Sequence, residues 1–172
     1  MATTTQAETL AYGFGETGLG HILVAASGAG LAAILLGDGR GRLLRELRET
    51  FPGAGLIEDQ TRLADWIVAV ERHIDAPNTP FDLPLDQRGS DLERAVWAAL
   101  TRIPPGDTTT YGALAKSLPI AATAQEVGAA CAANRLAVVI PCHRVVKADG
   151  SISGYRWGVY RKRRLINLEG VA

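Results

Sequence analysis

Cysteine is nearly absent from this chain, which carries only Cys131 and Cys142 among 172 residues. A secreted scaffold stapled by several disulfides is thereby excluded, and two free thiols fit a reducing cytoplasm. Histidine is almost as scarce, with His21 and His73 in the first half and His143 in the second. Because both cysteines lie in the second half, no zinc site is expected, and no other metal or cofactor either. Long apolar runs are lacking too. None is longer than that of Leu31 to Leu36, which falls far short of the roughly 20 residues that a membrane-spanning helix needs. Met1 to Glu8 is short and polar, unlike a secretory signal.

Net charge is also missing, since 18 basic residues balance 18 acidic ones. The balance is not local. Residues 1–89 hold seven Lys and Arg against twelve Asp and Glu, a net of −5, and residues 90–172 hold eleven against six, a net of +5. Such asymmetry is the footprint of a basic working face on the second half, or else of an uneven solvated surface. At 47% hydrophobic residues the chain can bury a core, enough for one domain or two small ones.

The first half reads as strands followed by helices. His21 to Val24 and Leu31 to Leu36 flank the Gly28-Ala29-Gly30 turn and predict a hairpin. Leu43, Leu44, Leu47 and Phe51 fall at helical spacing up to Pro52-Gly53, and Leu63, Ile67, Val70 and Ile74 mark a second helix ending before Pro77. Phe81 to Leu85 alternates with period two, as a short strand or a linker would. In the second half Ser90 and Glu93 form a capping box for a helix with Leu92, Val96, Trp97, Leu100 and Ile103 on one face. A short helix is expected over Tyr111 to Ser117. A second capping box, Thr123 with Glu126, starts another that runs to about Asn134, with Val127, Ala130 and Cys131 on its apolar face. Its other face, Ala124, Gln125, Gly128, Ala129 and Ala132, has almost no bulk. Two short helices in succession suggest a helix-turn-helix. The small face suits either close approach to a ligand backbone or tight packing on another helix. Leu136 to Ile140 is a buried-strand candidate leading into Pro141-Cys142-His143, Val145-Val146 continues it, Asp149-Gly150 turns, and a last helix covers about Val159 to Leu168.

Cys131 has the setting of a small core hydrophobe. Cys142 differs, because Pro141 stiffens one side of it and His143 and Arg144 on the other favour a thiolate. On a strand, neighbouring side chains point to opposite faces, so His143 would act on Cys142 through a bridging water or a turn. Glu169 lies three and four residues after Ile166 and Leu165, on the same face of the last helix. A carboxylate there is either buried, with His143 as its partner, or frayed into solvent near the chain end.

At this point the sequence resembles the O6-alkylguanine-DNA alkyltransferases, in particular the repair domain of bacterial Ada-type proteins. The resemblance rests on Ile140-Pro141-Cys142-His143-Arg144-Val145, on Asn134 eight residues before the cysteine, and on Ser153-Gly154-Tyr155-Arg156-Trp157-Gly158. Pro105-Gly106, Thr110-Tyr111 and Leu168-Glu169-Gly170 also belong to it. It covers nearly the whole chain. The resemblance implies an α+β protein: a ribonuclease-H-like α/β domain over residues 1–87, and a mostly helical, winged-helix-like domain with a helix-turn-helix over residues 88–172. It implies single-turnover transfer of an alkyl group from O6 of guanine, and from O4 of thymine, in DNA to Cys142. His143 would be the base through a water, oriented by Glu169, and Tyr111 would donate toward N3 of the leaving guanine. Asn134 would be the hinge, and Val145, Tyr155 and Arg156 would line the base pocket. Thr110, Tyr111, Thr123, Ala124, Gln125, Gly128, Ala129, Arg135 and Arg144 would contact double-stranded DNA at its minor groove, with the damaged base flipped out. The implied protein is a cytoplasmic monomer without membrane contact.

Two departures from the family pattern stand out. Gln125 occupies the recognition-helix position where an intercalating arginine is usual, and Leu118-Pro119-Ile120-Ala121 replaces a Gly-Xaa-Pro. Glutamine lacks the charge and the stacking plane of arginine, so weaker or less DNA-dependent binding is expected. The cysteine-rich metal domain of Ada-type regulators is absent from this sequence, so phosphotriester repair and transcriptional activation are not expected. Three alternatives to repair are a damage-sensing module, which Cys142 argues against, a transferase redirected to another alkylated acceptor, and a thiol hydrolase, which lacks a recognisable oxyanion element.

Overall fold

Two strands meet at Gly30, which the backbone turns through a positive φ of 148°, a region open to glycine and costly for other residues. The computed structural model describes residues 8–152 and 154–170. Met1 to Ala7, Ser153, Val171 and Ala172 therefore lie outside the described residues. The elements in chain order are β1 (Thr9–Thr17), β2 (Gly20–Ala26), β3 (Leu31–Gly37), α1 (Arg40–Thr50), β4 (Gly55–Glu58), α2 (Ala64–Asp75), α3 (Asp91–Thr101), β5 (Thr109–Thr110), α4 (Tyr111–Ser117), α5 (Ala124–Ala132), β6 (Val145–Val146) and α6 (Val159–Gly170). The chain is of α+β class, as expected.

The predicted hairpin is β2–β3, extended by β1 into an antiparallel meander, with β4 added parallel to β1. β1 has no counterpart among the sequence expectations. Its Gly13 and Gly15 dilute the apolar pattern, yet both sit where α2 lies directly on this strand. A Cβ at Gly13 would stand 2.8 Å from Ile67 Cδ1, and one at Gly15 would stand 2.8 Å from Ile67 Cγ2. β3 is buried along its whole length, the mark of a strand covered on both faces.

The open edge of β3 is closed by two other segments, which hides its unpaired backbone groups. Phe81 to Leu85 is a linker that makes a single bridge, Leu85 to Leu31, with Leu31 N–H donating to Pro84 O at 2.9 Å. Further along, Ile34 N–H donates to Arg135 O at 2.8 Å, and Ala137 N–H donates back to Ile34 O at 3.0 Å. The sheet of the first half is thus bonded to the segment that leads into Cys142.

That segment is not the strand expected over Leu136 to Ile140. Only Leu136 bridges, and the chain then coils tightly, with Ile140 N–H to Leu136 O at 3.0 Å and Val138 at a φ of 68°. The cause is Asn134. Its side chain accepts from Leu136 N–H at 2.9 Å and donates to Ile140 O at 2.9 Å, offering the backbone partners that compete with a ladder. The capping boxes at Ser90–Glu93 and Thr123–Glu126 are both formed. α3, α4 and α5 pack together, and Trp97 Nε1 donates to Ala130 O at 2.9 Å. No helix among the described residues is long and apolar enough to cross a membrane.

Candidate active site

Cys142 opens a turn of 3-10 helix, Cys142–Arg144, which replaces the expected continuous strand. Ahead of it, Cys142 N–H donates to Ile140 O at 2.8 Å across Pro141, a γ-turn that aims the side chain into a cavity. The cavity holds about 410 Å³. Cys142 and Tyr155 share its wall with Tyr111 from the start of α4, with Gly128, Cys131 and Ala132 from α5, and with Gly154 and Arg156. Asn134 Nδ2 lies 3.4 Å from Cys142 Sγ, so the residue that shapes the preceding turn also touches the thiol. Burial pushes the Cys142 thiol up, while the Asn134 amide and the Lys162 and Arg156 charges draw it back down.

His143 is completely buried and pairs through Nε2 with Glu169 Oε1. Burial holds the imidazole below its ordinary value, against the opposing pull of Glu169, so the ring is neutral. Burial works to raise the Glu169 carboxyl, but the hydrogen bonds from His143 and Arg144, with the Arg144 charge, outweigh it and hold the group ionised. A neutral imidazole facing a carboxylate must donate from Nε2, which leaves the lone pair on Nδ1. That nitrogen is buried and has no partner among the protein atoms. Of the two sequence alternatives for Glu169, the buried one holds.

Several residues expected at the DNA surface are indeed outward. Thr123, Ala124, Gln125 and Ala129 are exposed along α5, and Gly128 is half-buried beside the Tyr111 ring. Thr110 caps α4, accepting from Ala113 N–H at 3.1 Å, which fixes Tyr111 as the first helical residue. Two expectations need correction. Arg144 does not face outward: its Nε donates to Glu169 Oε2 at 2.7 Å and its Nη1 to Ile103 O at 2.6 Å, and it is 6% exposed. A buried guanidinium needs those partners and cannot also meet a groove. Arg135 turns back to the junction of the two halves, its guanidinium 5.2 Å from the Phe51 ring centre and bonded to Arg88 O at 3.2 Å. Val145 is fully buried and its backbone pairs with that of Thr109, so only its backbone carbonyl, the group expected to meet the base, could serve the pocket.

Two cavity features were not foreseen. Cys131 is core in its burial, yet it faces the same cavity as Cys142, and burial pushes its thiol up to about 12. Lys162, 1% exposed, brings Nζ to 3.4 Å from Gly154 O and 5.9 Å from the centre of the Tyr111 ring. In sequence it sits within the run Arg161-Lys162-Arg163-Arg164, which looks like a solvated face. The signal was its position three residues before Leu165 and seven before Glu169, on one helical stripe. Among the described residues, no group of three or more His, Cys, Asp or Glu side chains could hold a metal ion.

Comparison with known proteins places both halves. Residues 10–87 match the 6-O-methylguanine DNA methyltransferase ribonuclease-like domain, and residues 91–171 match the DNA binding domain of the same family. The chain is 43% identical over 92% of its length to the bifunctional transcriptional activator/DNA repair enzyme Ada of Escherichia coli (strain K12), covering 45% of that protein. It is 31% identical to the methylated-DNA–protein-cysteine methyltransferase of Methanosarcina acetivorans, over 92% of this chain and 97% of that one. Among solved structures, Mycobacterium tuberculosis OGT in complex with DNA superposes with a TM-score of 0.78 at 30% identity, covering 93% of this chain and 92% of that one. The chain spans less than half the length of the two Ada proteins it matches, 45% and 42% of them. Matched across both halves and along the whole of a methyltransferase of its own size, this chain belongs to the 6-O-methylguanine DNA methyltransferase family.

Proposed function

We propose that this protein repairs alkylated DNA by direct reversal, moving the alkyl group from O6 of guanine, or O4 of thymine, to Cys142. The observation that carries this reading is a buried thiol on the wall of a base-sized cavity, next to a histidine whose lone-pair nitrogen is buried beside it in sequence. His143 takes the Cys142 proton through a bridging water, and the Glu169 carboxylate stabilises the imidazolium that forms. The thiolate sulfur then attacks the alkyl carbon. The S–C bond forms as the C–O6 bond breaks, and the electron pair leaves with guanine. Tyr111, on the cavity wall, eases that departure by donating toward N3, and Asn134 holds the turn that presents the thiol. Tyr155 and Arg156 line the space for the base. The product thioether has no good leaving group, and the Cys131 thiol, held protonated by burial, is no nucleophile to remove it. One molecule therefore performs one transfer.

In this reading residues 1–87 form the ribonuclease-H-like domain and residues 88–172 the DNA-binding one. The protein acts as a cytoplasmic monomer on double-stranded DNA, entering the minor groove with the exposed face of α5 and flipping the damaged base. Incubation with duplex containing O6-methylguanine is expected to add the mass of one methylene to the intact protein, at Cys142. Cys142→Ala is expected to abolish the gain. A second reading, transfer with weakened dependence on DNA, is favoured by one observation: the exposed α5 surface carries the uncharged Gln125.

A further inference from the structure

The chemistry proposed above uses Arg156 only as part of the cavity wall. Its guanidinium nonetheless reaches three separate places. Nε donates to Glu46 Oε1 at 3.1 Å, Nη2 to Thr50 Oγ1 at 3.2 Å and Nη1 to Asn134 O at 2.8 Å. Glu46 and Thr50 stand one turn apart at the C-terminal end of α1, where the helix carbonyls favour a cation. Thr50 is itself fixed, its hydroxyl donating to Glu46 O at 2.7 Å. Asn134 is the residue whose amide touches Cys142 Sγ. The Arg156 guanidinium also lies 5.3 Å from the Trp157 ring centre, and Trp157 meets Tyr155 edge-on at 5.4 Å. Tyr155 and Arg156 both form the cavity wall.

We infer that Arg156, anchored by Glu46 and Thr50, sets the width of the alkyl-accepting cavity, so that a helix of the first half decides which alkyl sizes reach a thiol in the second. The inference rests on the alkyl-transfer reading. A planar guanidinium with three bonds in different directions is rigid, as a lysine ammonium is not. Loss of the α1 anchors frees Arg156, and with it the Trp157–Tyr155 edge, to move outward. A wider cavity favours bulkier groups over methyl.

Glu46 lies outside the cavity, which makes it the cleaner probe. Transfer rates are compared for O6-methylguanine and O6-benzylguanine in the same oligonucleotide duplex, with thermal unfolding followed on each variant. Glu46→Ala is expected to raise the benzyl-to-methyl rate ratio by about fivefold. Arg156→Lys, which keeps the charge and loses the fork, should raise it further, and Glu46→Gln, which keeps an acceptor, should stay near the parent. An unchanged ratio in Glu46→Ala and Arg156→Lys, or equal falls in both rates that track lost stability, overturns the inference and leaves the alkyl-transfer reading standing. Failure of the parent to transfer either group overturns both.

Discussion

The two halves of this molecule bury different things. Up to residue 87 the interior is almost wholly apolar, and Ser27 and His73 are its buried polar residues among those described. From residue 88 onward Asn134, His143, Arg144, Lys162 and Glu169 are all buried. Charges taken out of water cost several kcal/mol each unless partners meet them. Four of the five meet at the turn that carries Cys142, where Asn134 touches the thiol and Glu169 bonds both His143 and Arg144. The first half thus has an apolar core, and the second carries the buried charge that the chemistry needs.

The sharpest way to break this contrast is Glu169→Ala. It leaves His143 and Arg144 buried without their shared carboxylate, and a loss of about 4 kcal/mol is expected, measured by urea unfolding. Alkyl transfer should fall with it even at low temperature, where the variant is folded. Leu35→Ala, at a fully buried position of β3, should cost about 3 kcal/mol through the cavity it leaves. Its transfer rate at 25 °C is expected to match the parent, and a comparable loss of rate would show that the core of the sheet itself acts on the transfer.

Each half also contributes a histidine that burial holds below its ordinary value of 6.5, His73 in the first and His143 in the second. The unfolded chain then binds protons at a pH where the folded one does not. Stability is fully kept above about pH 6.5 and lost as pH falls toward the depressed folded values, by about 1.4 kcal/mol per pH unit for each histidine. Glu169, held below 4.5, adds a further loss once pH passes beneath that value, because the unfolded carboxyl then takes up a proton while the folded one keeps its charge. His73→Gln should remove one histidine's share of the upper slope without touching the transfer rate, read from urea midpoints across pH 4.5 to 7. The smallest effect is expected at Gln125. Gln125→Arg adds a cation to the exposed face of α5 and should tighten binding to damaged duplex by about 1 kcal/mol, with a steeper salt dependence, in a titration at two ionic strengths. No gain in affinity or rate would remove α5 as the delivery element.

Much of the second half was legible because its signals are local. Ser90 with Glu93 and Thr123 with Glu126 each fix a helix start within four residues, and Pro141 to Val145 is a contiguous motif. What escaped the sequence depends on distant partners. The glycines of β1 look like loop until Ile67 is packed against them, and the coil after Asn134 looks like a strand until that side chain takes its backbone bonds. Arg135 and Arg144 carry the charge expected of DNA contacts, but Phe51 and Glu169, far away in sequence, draw them inward. The burial of Lys162 was written in helical spacing and masked by the basic residues on either side of it.

The intact mass of the protein after incubation with an equimolar duplex bearing a single O6-methylguanine tests the central claim most directly. The expected result is one added methylene per molecule, located on Cys142 by peptide mapping, with no second transfer when fresh duplex is supplied. An unmodified protein that remains bound to the duplex, or one that demethylates more than its own equivalent of DNA, would contradict it.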